Sequence, residues 1–224
     1  MNEPEVRVLD SSEEALDDAA RELAAAARAG LHVALSGGSV AEAFPAAAAA
    51  EPDWSRAELW WSDERCVPPD DTRSNYHLAR EKLLERVAKA PRAVHRVRGE
   101  LEPTRAAELY DDEVDGIRLD LALQGIGPDG HTASLFPRDP ALDELDRRAV
   151  AVHRDDVDRV TLTLPVLCAA ETVLFLAFGE GKAEAVRRAF AEEPSKETPA
   201  SLVRSAQGRT LVLLDRAAAA RLPS

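Results

Sequence analysis

Short segments rich in Val, Leu and Ile recur along this chain, each followed by a stretch whose apolar residues fall three and four positions apart. That alternation admits few architectures other than strands crossed by helices in an α/β sheet. The opening unit sets the pattern. Residues 11–29 place Leu16, Ala19, Ala20, Leu23 and Ala27 on one helical face, with Ser11 and Glu14 spaced as a capping box and Gly30 as a stop. A buried strand is expected over 31–35, and Ser36-Gly37-Gly38-Ser39 then turns the chain into an alanine-rich helix reaching residue 50. Further strands are expected over 59–62, 119–123, 149–152, 160–164, 173–178 and 210–214. Helices are expected from a cap at Asn75 to about residue 88, over 104–114 and over 182–191, with 67–74 as a loop. Nothing repeats at a fixed period, and 224 residues suffice for one domain with a large core.

Charge and composition exclude several classes of function. The formal net charge is −13 and no basic run stands out, which argues against a nucleic-acid partner. No apolar stretch is long enough to span a membrane, and Glu3, Glu5, Arg7 and Asp10 near the N-terminus do not make a secretion signal. Two cysteines, Cys66 and Cys168, suggest neither a disulfide framework nor a zinc ribbon, so a reducing cytoplasm is expected. A monomer or weak homo-oligomer fits this picture. An anionic ligand would need a local positive pocket.

In open α/β sheets, ligands collect beyond the carboxyl ends of strands, and three polar loops occupy such positions. The first, Ser36 to Ser39, offers two hydroxyls and glycines that let backbone N–H groups approach a phosphate. A tight strand-to-helix turn accounts for the same four residues equally well. The third, Gly125-Ile126-Gly127-Pro128-Asp129-Gly130-His131, sets a carboxylate two residues from an imidazole, which suits activation of a water molecule. The plainer alternative has Asp129 capping a short helix near His131 while the ring bonds a backbone carbonyl. The second, Asp63-Glu64-Arg65, could stabilise an oxyanion through Arg65, or could simply form a surface ion pair.

Other matches fail on inspection. Gly125-x-Gly127-x-x-Gly130 fits a dinucleotide fingerprint but would set Asp129 against a pyrophosphate. The run from Asp111 lacks the glutamate that closes a calcium loop, and Gly179-Glu180-Gly181-Lys182 lacks what a P-loop requires. No Gly-x-Ser-x-Gly elbow exists, and Cys66 reads as an inert buried thiol. His32, His77, His95 and His153 have no metal-ligand spacing.

Taken together, Leu35-Ser36-Gly37-Gly38-Ser39, Asp63-Glu64-Arg65-Cys66-Val67-Pro68-Pro69 with Ser74-Asn75-Tyr76, and the run from Gly125 to Pro137 resemble the 6-phosphogluconolactonases. The segment from Arg159 to Pro165 and Gly179-Glu180-Gly181-Lys182 resemble that family in the same order. The resemblance implies a single three-layer, Rossmann-like α/β domain over residues 1–224 with a mostly parallel sheet, similar to the glucosamine-6-phosphate deaminase and ribose-5-phosphate isomerase folds. It implies opening of 6-phosphoglucono-1,5-lactone in the oxidative pentose phosphate pathway, with neither metal nor organic cofactor. By motif position His131 is the general base, Asp129 its partner and Arg65 a positive group at the lactone carbonyl. Ser36, Gly37, Gly38, Ser39, Asp63, Lys182, Arg159 and Arg204 are the expected substrate and phosphate contacts. One departure is Val40, where the family often continues with threonine and proline.

Two rival functions share much of this pattern. An amino-sugar phosphate deaminase would keep the glycine turn and the Asp-Gly-His core, but Ser134-Leu135-Phe136-Pro137 supplies no carboxylate where those enzymes carry a glutamate. A noncatalytic sugar-phosphate sensor would need phosphate contacts and no general base.

Overall fold

The computed structural model describes residues 3–223. In chain order its strands are β1 (Glu5–Leu9), β2 (His32–Leu35), β3 (Glu58–Trp61), β4 (Asp63–Arg65), β5 (Ala93–Val94), β6 (Leu121–Gln124), β7 (Ala149–Val152), β8 (Arg159–Leu162), β9 (Thr172–Ala177) and β10 (Arg209–Asp215). The α-helices are α1 (Ser12–Ala29), α2 (Phe44–Ala50), α3 (Asn75–Ala79), α4 (Pro103–Val114), α5 (Leu164–Ala169) and α6 (Ala183–Phe190).

Seven strands form one sheet in the order β1-β10-β9-β6-β2-β3-β5. Every neighbouring pair is parallel. The central strands are apolar on both faces, as a parallel sheet covered on both sides requires; Val173 to Leu176 and Leu211 to Leu214 are all buried. The expected strands over 149–152 and 160–164 do not join this sheet. They form β7 and β8, which pair antiparallel in a small second sheet with β4. β8 ends at Leu162 because α5 starts at Leu164, and the Thr163 hydroxyl between them donates to the carbonyl oxygens of Arg147 and Arg148.

Several local expectations are corrected by identifiable side chains. The capping of α1 is as expected: Ser11 Oγ accepts from Glu14 N at 3.2 Å, and Gly30 closes the helix at φ 78°. The alanine-rich stretch, however, is a 3-10 turn over Gly38–Ala43 followed by the separate α2. The break falls just before Pro45, which has no N–H to continue a helix across it. Ser74 rather than Asn75 caps α3, its Oγ accepting from His77 N at 3.1 Å. After five residues α3 gives way to a π-turn over Arg80–Leu84, so the helix ends short of residue 88. β1 was not expected, because Glu5 and Arg7 gave it a polar look; it lies at the sheet's edge, where four of its five side chains are exposed.

One continuous core runs from Ala15 to Ala218. Its position fixes where a ligand can bind. From β2 the chain moves outward through β3 to β5, then returns to lay β6 on the other side of β2 and continues through β9 to β10. The strand order therefore reverses between β2 and β6. The crevice beyond their carboxyl ends is where open α/β sheets bind ligands.

Candidate active site

The loop leaving β6 is fastened at both ends. Gln124 Nε2 donates to Ser62 Oγ at 2.8 Å, and Thr132 Oγ1 lies within hydrogen-bonding range of Gln124 Oε1 and of the Gly125 carbonyl. Between these points Gly130 N bonds Gly127 O, and Gly127 N bonds His131 O at 2.8 Å, with Gly130 at φ 96°. Only a residue without Cβ adopts that backbone readily. Asp129 Oδ1 accepts from both His131 N (3.1 Å) and His131 Nδ1 (2.5 Å). No helix begins here, so Asp129 caps a turn and holds the imidazole at once. With Nδ1–H directed at the carboxylate, the ring's lone pair falls on Nε2, which has no protein partner among the described residues. Burial opposes ionisation of Asp129, but the His131 amide and imidazole outweigh it and hold the carboxyl below the usual carboxylate range.

The ring of His131 is boxed in. Phe136 lies 4.7 Å away, centroid to centroid. On the other flank a Cβ at position 127 would come within 2.1 Å of the imidazole, so only glycine leaves room for the ring there.

The turn after β2 approaches from the other side of the switch. Ser36 Oγ donates to Leu123 O at 2.7 Å, tying the ends of β2 and β6 together. Gly37 lies against the Asn75 side chain, where an added Cβ would meet Oδ1 at 1.9 Å, and Gly38 adopts φ 70°. Lys182, immediately before α6, extends to donate from Nζ to Ile126 O at 2.6 Å. Burial pulls the pKa of its ammonium below the ordinary lysine value, and the charge of Asp129 only partly offsets this.

The Asp-Glu-Arg loop is not a surface ion pair. Asp63 is buried, accepting from Ser134 Oγ at 2.6 Å and from Asn75 Nδ2 at 3.2 Å. Glu64 is also buried and receives four donors: Arg65 N, Asn75 N and Tyr76 N, each at 2.7 Å, and Ser74 Oγ at 3.0 Å. Burial nonetheless raises its pKa to about 7. Arg65 donates from Nη1 to Arg73 O at 2.6 Å, while its Nε is buried without a partner.

A cavity of about 170 Å³ unites Ser36, Gly37, Gly38, Ser39, Asp63, Arg65, His131 and Lys182, the eight predicted site residues among those that line it. Two expected phosphate contacts stand elsewhere. Arg159 does not line the cavity; it is held by Asp156 at 2.8 and 2.9 Å and lies 5.5 Å from the Phe136 ring. Arg204 is corrected outright: 5 % exposed, it donates to the carbonyls of Ala189, Ala200 and Val203 and lies over Phe190, so its guanidinium is spent on backbone oxygens inside the core. Asn75 and Phe136 were missed as site residues. Both stand inside the motifs quoted above, but only their placement reveals the contacts with Gly37 and His131. Burial pushes the pKa of the half-buried Cys66 thiol up to about 12, which disfavours the thiolate that a nucleophile needs. The described residues contain no cluster of His, Cys, Asp and Glu suited to a metal ion, and no helix long and apolar enough to cross a membrane.

Residues 7–212 match the family described as glucosamine-6-phosphate isomerases/6-phosphogluconolactonase. The chain belongs to that family. A human protein named 6-phosphogluconolactonase is 41% identical over 167 residues, covering 70% of this chain and 65% of the human protein. Among solved structures, a 6-phosphogluconolactonase from Trypanosoma cruzi superimposes with a TM-score of 0.86 at 25% identity, covering 99% of this chain and 98% of the other. A monomeric glucosamine-6-phosphate deaminase gives a TM-score of 0.85 at 20% identity over 97% of this chain and 99% of its own; what it shares is the fold. The α/β architecture is thus shared with both of these solved structures.

Proposed function

We propose that this chain hydrolyses 6-phospho-D-glucono-1,5-lactone to 6-phospho-D-gluconate, serving the oxidative pentose phosphate pathway as a single cytoplasmic domain. The observation that carries the reading is the pairing of a free His131 Nε2 with an anion-binding turn and Lys182 in one cavity. The naming of a 41% identical relative as a lactonase supports the substrate.

The reaction needs no covalent intermediate. His131 Nε2 takes a proton from water as the oxygen attacks the lactone carbonyl, and Asp129 stabilises the imidazolium that forms. Negative charge collects on the carbonyl oxygen, where Arg65, which lines the cavity, supplies a positive charge. As the tetrahedral centre collapses, the bond to the ring oxygen breaks and the imidazolium returns its proton to that oxygen. The Ser36–Ser39 turn and Lys182 hold the phosphate, and Asp63 accepts from sugar hydroxyls with the lone pairs that Ser134 and Asn75 leave free.

A rapid assay of lactone opening tests this, with the unphosphorylated lactone and an enzyme-free blank as controls. Acceleration confined to the phosphorylated lactone is expected. Release of ammonium from glucosamine 6-phosphate without lactone opening would move the chain to the deaminase branch, and binding without turnover would make it a sensor.

A further inference from the structure

One peptide group connects Lys182 to the backbone of His131. Lys182 Nζ donates to the carbonyl of Ile126 at 2.6 Å, and the N–H at the other end of that peptide, Gly127 N, donates to the carbonyl of His131 at 2.8 Å. The peptide is trans and planar, so its C=O and N–H point in opposite directions and turn together. A displacement of the ammonium is therefore felt at residue 131 through a single rigid unit. The His131 ring rests on the α-carbon of that same Gly127, where no side chain intervenes.

The ammonium is also incompletely used. It has three N–H donors, and Ile126 takes one. The remaining two are available to the cavity that Lys182 lines together with Ser36 and Ser39. Hydrogen bonds in such a chain polarise one another when the terminal donor is charged and fixed.

We infer that Lys182 is a positioning residue for catalysis as well as a phosphate contact: the substrate's phosphate acts on His131 through Lys182 and the 126–127 peptide. The inference rests on the lactonase reading above. An ammonium clamped between phosphate and the Ile126 carbonyl fixes the orientation of the peptide, and with it the seat of the imidazole. Part of the phosphate's binding energy then appears in kcat rather than in KM, as happens when a remote group of the substrate serves to orient the reacting centre. A lysine that only gripped the phosphate would change KM alone.

The test uses wild type, Lys182→Met, which keeps the aliphatic stem, and Lys182→Gln as a second variant should the first unfold. Each is assayed on the phosphorylated lactone, and on the unphosphorylated lactone with and without millimolar inorganic phosphate, against enzyme-free blanks. Inorganic phosphate is expected to raise wild-type kcat/KM on the unphosphorylated lactone by about tenfold or more. Both variants are expected to lose that activation and to lose kcat on the phosphorylated lactone. In the absence of lactone, inorganic phosphate is expected to shift the His131 imidazole resonances of wild type and to leave those of the variants unmoved. Inhibition by inorganic phosphate without activation, or variants with raised KM and wild-type kcat, would overturn the inference. A wild type that opens neither lactone would instead remove the lactonase reading, and the His131 resonances would still decide whether Lys182 transmits phosphate binding.

Discussion

The imidazole of His131 lies so close to Gly127 that a β-carbon there would stand 2.1 Å from both Nδ1 and Cε1. The glycine is therefore part of the seat of the proposed general base. Replacing Gly127 with Ala is expected to push the ring off Asp129 and to lower kcat by about 10²-fold or more while circular dichroism stays unchanged. Full activity in this variant would show that the ring's place in the structure is not its working place.

Removing the proposed base itself is the sharper experiment. His131→Ala is expected to lower kcat by about 10²–10⁴-fold with the fold intact. Asp129→Asn, which can still cap the turn but carries no charge to stabilise an imidazolium, is expected to fall between that variant and wild type. Steady-state kinetics checks both, and a wild-type rate in the alanine variant would end the general-base mechanism.

The acid side of the pH profile follows from the same pair. The Asp129 carboxyl is held below the usual carboxylate range, so it is ionised throughout the region where a histidine titrates. The acid limb of log kcat/KM is therefore expected to rise with a slope of about one, reporting a single proton. A slope near two would mean that the carboxylate titrates with the ring.

Arg204 separates stability from catalysis. Arg204→Met is expected to cost about 2–4 kcal/mol, because three buried carbonyls lose their donor, while kcat and KM stay near wild type. Urea unfolding and the lactone assay read the two effects apart. A rise in KM at unchanged stability would place the guanidinium in the phosphate site after all.

Glu64 gives stability a pH dependence of unusual sign for a carboxylate. Folded, it keeps its proton to about pH 7; unfolded, it loses it near 4.5. Between these values the folded state binds more protons, so this group's contribution is complete below the lower value and declines as pH rises through the upper one. The decline amounts to a few kcal/mol, at about 1.4 kcal/mol per pH unit separating the two midpoints. Urea midpoints measured from pH 4 to 8 are expected to show it as the difference between wild type and Glu64→Gln. Parallel curves would indicate that the four donors keep Glu64 ionised throughout.

How much of this was legible in the sequence depends on whether the decisive contact was local. Ser11 capping α1, Gly30 ending it and Asp129 meeting His131 two residues away are all short-range, and they read correctly. The three loops were also found, because strand ends are visible as the limits of apolar runs. Long-range contacts left no such trace. Arg204 looked like any cation available for phosphate until the core closed on it, and Glu64 looked exposed until Asn75 and Tyr76 brought their amides to it from eleven and twelve residues away. The β7–β8 pair was legible as strands but not as a separate sheet, since a pattern of valines reports burial and not the identity of the neighbour.

The pairing of β1 with β10 sets the order of synthesis against the order of assembly. Glu5 to Leu9 find their hydrogen-bonding partner only when residues 211 to 215 emerge from the ribosome. Until then this segment waits unpaired, although every residue lining the cavity, up to Lys182, has already been made. A chaperone that shields this one short stretch would guard the nascent chain at the point where it is longest at risk.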